Sequence, residues 1–78
     1  MNPLQTRALL AYSNFVEPPN KQLCLELATH GLPRHPTHLE RYTYIYALQS
    51  YSIQLLLTDR EDNHNDAMIL MNMVKQMT

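Results

Sequence analysis

Glycine and cysteine each occur once in this chain, at Gly31 and Cys24, and tryptophan is absent. A single glycine excludes the glycine-rich loops whose backbone cradles nucleotide phosphates. A single cysteine excludes an internal disulfide framework and fits a reducing compartment. Charge is sparse in both signs: six Lys and Arg against seven Asp and Glu leave a net charge of −1. The basic residues, Arg7, Lys21, Arg34, Arg41, Arg60 and Lys75, are scattered, so no basic patch gathers to hold nucleic acid or an anionic membrane. The longest apolar runs are the five-residue stretches Ala8–Tyr12 and Ala67–Met71, far short of the roughly 20 residues that cross a bilayer. The first helical segment lacks the compact apolar block and small-residue cleavage site of a signal peptide. A cytoplasmic location is the expectation.

What is present is an apolar share of 45% over 78 residues, ordinary for a globular domain and too high for a disordered chain. Residues 1–78 read as a single helical domain. At this size folding hides only about 60% of the unfolded surface, so a lone subunit is marginally stable unless something supplements its core.

Proline and glycine divide the chain into four helical segments. Asn2-Pro3-Leu4-Gln5 starts the first, with Asn as cap and Pro at the first helical position. Leu4, Ala8, Ala11, Tyr12 and Phe15 then recur at helical spacing, and Pro18-Pro19 is expected to end the segment, because a residue before proline is pushed out of the helical region. A second helix is expected from Pro19 or Asn20 to His30, with Leu23, Cys24 and Leu27 inward. Gly31-Leu32-Pro33 supplies its stop: a left-handed residue, an apolar closing contact and a residue that cannot continue a helix. Thr37-His38-Leu39-Glu40 matches the capping box, in which Thr and Glu reciprocally satisfy free amide hydrogens. The third helix is therefore expected from Thr37 to Thr58. Residues 59–66 read as a polar turn, and a last helix is expected from Asp66 or Ala67 to about Met77.

The central segment carries two apolar stripes. At about 100° per residue, Tyr42, Ile45, Tyr46, Gln49, Ile53, Leu56 and Leu57 gather on one side and Tyr44, Leu48, Tyr51 and Leu55 on roughly the opposite side. A helix apolar on both sides must be covered on both, by its own chain or by a partner. The expected fold is all-α: a small four-helix domain with one long central helix, about 37–58, assembled as a dimer. The other three helices are expected on the Tyr42/Ile45/Ile53/Leu56 side. Tyr44, Leu48, Tyr51 and Leu55 are then the protein-binding surface, extended by Met73 and Met77, whose flexible thioethers suit adaptable docking.

Signals for chemistry are weak. Cys24, His30, His35 and His38 include two zinc-ligand types, but only His35 and His38 are closely spaced, and Pro36 lies between them, unlike the paired ligands of structural zinc sites. Counted from Asp59 as an EF-hand loop, the sixth position is His64 and the twelfth Leu70, where calcium binding needs glycine and glutamate. Cys24 falls in an apolar stretch, and Ser13, Ser50 and Ser52 fall within helices, without the sharp turn that exposes a nucleophile. No metal, cofactor or small-molecule substrate is expected, nor an enzyme. The expected function is a small protein-binding regulator or adaptor, of inhibitor or chaperone type, whose partner is another protein or a second copy of itself. The alternative is a dimeric helix-turn-helix-like DNA-binding regulator using Arg34, His38 and Arg41. Nucleic acid is the less favoured partner, because the six-residue turn exceeds the usual three or four and the cations are few.

Overall fold

A computed structural model describes residues 3–78 and, among them, four helices and no strand: α1 (Leu4–Ser13), α2 (Pro18–His30), α3 (His38–Leu56) and α4 (Glu61–Met77). At 19 residues α3 is about 28 Å long and runs through most of a body measuring 34 × 25 × 22 Å.

The capping box forms as expected. Glu40 N–H donates to Thr37 Oγ1 at 3.1 Å, and Thr37 N–H donates to Glu40 Oε1 at 2.8 Å. Gly31 takes φ +78° with ψ 176° and its N–H donates to the Leu27 carbonyl at 2.8 Å, closing α2. Its ψ is extended rather than left-handed helical, so the chain leaves α2 as a straight exit, and Leu32 packs against the core.

Several boundaries differ from expectation, among them the end of α3, at Leu56 rather than the expected Thr58, and Pro3, which precedes α1 in place of opening it. Helix α1 ends at Ser13, well before the prolines. There Ser13 Oγ donates to the Leu10 carbonyl at 2.6 Å, and the Asn14 and Phe15 amides donate to Ala11 and Tyr12 in a tight last turn. Phe15, expected on the inward stripe, lies beyond the helix and is exposed. The prolines instead open α2, whose first turn needs no amide hydrogen from either. Helix α4 begins at Glu61, five residues before the first expected position. Glu61 and Asp62 suit the positive end of the helix dipole, while Asn63 Nδ2 donates to Thr58 Oγ1 at 3.0 Å and His64 Nε2 donates to the Thr58 carbonyl at 2.6 Å. These bonds tie the start of α4 to the end of α3, so the acidic stretch is mostly helix rather than turn. The expected Asn2 cap lies outside the described residues.

The core joins all four helices: Ala8 and Leu9 from α1, Cys24 and Leu27 from α2, Tyr44, Ile45, Ala47, Leu48 and Leu55 from α3, and Ala67, Leu70 and Val74 from α4. Helices α1, α2 and α4 therefore pack on the Tyr44/Leu48/Leu55 side of α3. This reverses the expected face. The reason lies in the small residues. Thr43, Ala47 and Ser52 are buried beside the large ones on α3, and Ala8 and Ala67 are fully enclosed on its neighbours. Short side chains let helix axes approach closely, which bulky faces prevent. Ser52 tolerates burial because its Oγ donates to the Leu48 carbonyl of its own helix at 2.7 Å.

Candidate functional site

With the Tyr44 stripe inside, the opposite side of α3 faces outward. Leu39, Tyr42, Tyr46, Gln49, Ile53 and Leu56 are all exposed, and their spacing is 3-4-3-4-3, two and a half heptads of coiled-coil periodicity. Ile45, the one member of the expected inward set that is buried, sits at the edge of this stripe. The exposed seam is pre-ordered by its rings. His38 and Tyr42 stack with centroids 6.4 Å apart, and Tyr42 and Tyr46 at 6.1 Å. Rings held this way lose little further freedom when a partner arrives.

Grooves flank the seam on both sides. One, of about 460 Å³, runs between α3 and α4, with Ile53 and Leu56 facing Met71 and Val74. The other, about 350 Å³, runs between α3 and α1 beside Tyr12, Tyr46 and Ile53. Gln49 and Ile53 border both, so together they form the ridge between the two grooves. Met71 is exposed at the first groove, and Met68, also exposed, lies one turn earlier on α4.

The residues expected to form the contact surface lie elsewhere. Tyr44, Leu48 and Leu55 are buried in the core; Tyr51, Met73 and Met77 are half-buried and packed against it. Tyr44, Leu48 and Leu55 carry the fold and offer no free face. The seam on the other side had a legible signal, an unbroken heptad spacing from Leu39 to Leu56 with no small residue in it. Arg34, His38 and Arg41, the residues of the DNA-binding alternative, are all exposed around the start of α3.

Chemistry has little to work with. Among the described residues no three His, Cys, Asp or Glu side chains cluster closely enough to hold a metal ion. Cys24 is fully enclosed, and burial pushes its thiol above the usual range, away from the reactive thiolate. Burial likewise raises the Tyr44 phenol. The hydroxyls of Ser13 and Ser52 are occupied by their own helices' carbonyls. The Arg60 guanidinium, bonded to Asp62 at 3.1 Å, holds that exposed carboxyl below its ordinary value. Among the described residues, no helix is long and apolar enough to cross a membrane. No protein-family model, curated protein or solved structure matches the chain. The physical character of its surface therefore carries the functional reading.

Proposed function

We propose that this is a small non-enzymatic protein-binding module, a regulator or adaptor, whose working surface is the outward seam of α3. The observation that carries the reading is the heptad-spaced row Leu39, Tyr42, Tyr46, Ile53 and Leu56 left in water on a domain of 78 residues. An isolated exposed leucine is ordinary, but an apolar row broken only by Gln49 and rimmed by polar residues marks an interaction site. Tyrosine suits such a site because its large, stiff ring tolerates water at the hydroxyl end. The test is affinity purification from the native cell of the unaltered chain and of Ile53→Asp, with helicity and melting temperature checked in both. Loss of associated protein, further copies of the chain included, from a folded Ile53→Asp variant is the expected result. The same associated proteins in the same amounts would sink the reading.

A DNA-binding role through Arg34, His38 and Arg41 is the competing reading, supported by the exposure of all three at one helix end. Against it, the apolar row begins beside them, at Leu39 and Tyr42. Phosphate-driven binding weakens steeply with salt, so a gel shift at low ionic strength that vanishes on adding salt favours DNA, and no shift at low salt removes it.

A further inference from the structure

We infer that the occupant of the α3 seam is a second copy of this chain, its α3 lying antiparallel to the first about a two-fold axis level with Ala47 and Leu48. This rests on the docking reading above and names its partner.

The spacing 3-4-3-4-3 is the same read from either end. An antiparallel copy therefore meets the first residue for residue: Leu39 opposite Leu56, Tyr42 opposite Ile53, and Tyr46 opposite Gln49, each pair occurring twice. Such self-complementarity is what a two-fold interface requires. The two polar residues meet at the centre, where the Tyr46 hydroxyl and the Gln49 amide can each donate and accept. A slip of one heptad sets Gln49 opposite Leu39 or Ile53 and leaves its amide without a partner, so Gln49 favours this register as a polar core position does in coiled coils. Leu39 to Leu56 spans about 26 Å of helix, with the two grooves ready to receive the partner's flanking side chains.

Charge selects the direction. Around the start of α3 stand Arg34 and Arg41 with His35 and His38, against Glu40 alone. Just past its end stand Asp59, Glu61 and Asp62, against Arg60 alone. Antiparallel pairing sets the basic end of one copy over the acidic end of the other at both ends of the interface, whereas parallel pairing sets like over like. Area agrees. Leu39, Tyr42, Tyr46, Ile53, Leu56 and Met71 are each between 43% and 60% exposed. At roughly 200 Å² per large side chain that leaves roughly 600–700 Å² on one face, near the roughly 800 Å² per partner of a standard interface.

The test has two parts. Light scattering on the unaltered chain at about 100 µM, where mass action favours association, is expected to give twice the mass of one chain. Tyr42→Cys and Ile53→Cys, made as separate proteins, are then oxidised alone and mixed. In the antiparallel register position 42 faces position 53 of the other copy, while the two positions 42 lie about 16 Å apart along the axis, beyond disulfide reach. Native Cys24 is fully enclosed and does not compete. Cross-linked dimer from the mixture and none from either variant alone supports the inference. Cross-linking of each variant with itself means parallel pairing and overturns it, as does the mass of a single chain at the highest concentration. A single-chain mass together with an Ile53-dependent foreign partner would overturn only the second copy and leave the docking reading standing. A single-chain mass with no Ile53-dependent association would end both.

Discussion

The two sides of α3 carry nearly the same large residues in opposite settings. Tyr44, Leu48 and Leu55 are buried, Leu48 at 0% exposure, while Tyr42, Ile53 and Leu56 stand in water, Ile53 at 60%. Counting hydrophobic side chains does not separate them. What separates them is the company those side chains keep. The inward side has Thr43, Ala47 and Ser52 buried beside the large residues, which share one cluster with Ala8 of α1 and Ala67 of α4. The outward row has small residues only at its flanks, where Ser50 and Ser52 line the two grooves, and carries Gln49 at its centre. Large residues gain the most burial where small ones let the neighbouring backbone approach, and a bulky, evenly spaced row suits a partner that inserts between its side chains.

That contrast is broken most directly by Leu48→Ala. Removing a fully enclosed side chain is expected to cost about 2–5 kcal/mol, and at roughly 4–8 °C per kcal/mol for a domain this small the thermal midpoint should fall by roughly 8–40 °C. A fall of only a few degrees would mean that the inward side is not the core. Ala47→Leu probes the same side from the opposite direction, since extra volume at an enclosed alanine is expected to cost about 1–3 kcal/mol through overpacking. Urea denaturation checks it, and an unchanged midpoint would show that α3 and its neighbours are not closely approached at Ala47.

Thr37→Ala acts on both sides of α3 alike, because it removes the hydroxyl that accepts from the Glu40 amide. About 1 kcal/mol is expected from lost caps of this kind, read as a lower urea midpoint with an unchanged slope. The smallest effect is expected from Ile53→Ala on the outward side. Measured at a concentration where the chain is a single subunit, its stability should stay within about 0.5 kcal/mol of the unaltered chain. A loss comparable to that of Leu48→Ala would erase the distinction between the two sides.

Much of the fold was legible because its signals are local. The capping box at Thr37 and Glu40 and the position of the stop at Gly31 both follow expectation, since each depends on bonds made within four residues, although Gly31 takes an extended ψ in place of the left-handed one. The ends of α1 and the start of α4 were misread where two local signals competed. Pro18-Pro19 can end one helix or open the next, and Glu61-Asp62 can be a turn or a first helical turn favoured by the dipole. Side-chain bonds from Asn63 and His64 back to Thr58 decide the second case, and neither is visible in a propensity. Two apolar stripes on α3 were legible in the sequence, but the stripe expected to face the other helices is the exposed one, and the Tyr44/Leu48/Leu55 stripe is buried instead.

The order of residues alone determines four helices, their main stops and starts, and a central helix with apolar residues on two sides. Each of these follows from steric limits and hydrogen bonds between near neighbours in the chain. Which side turns inward was decided only by the tertiary structure. That choice depends on α1, α2 and α4 fitting against α3 at once, at alanines far apart in sequence, and only packing compares the fit of both sides.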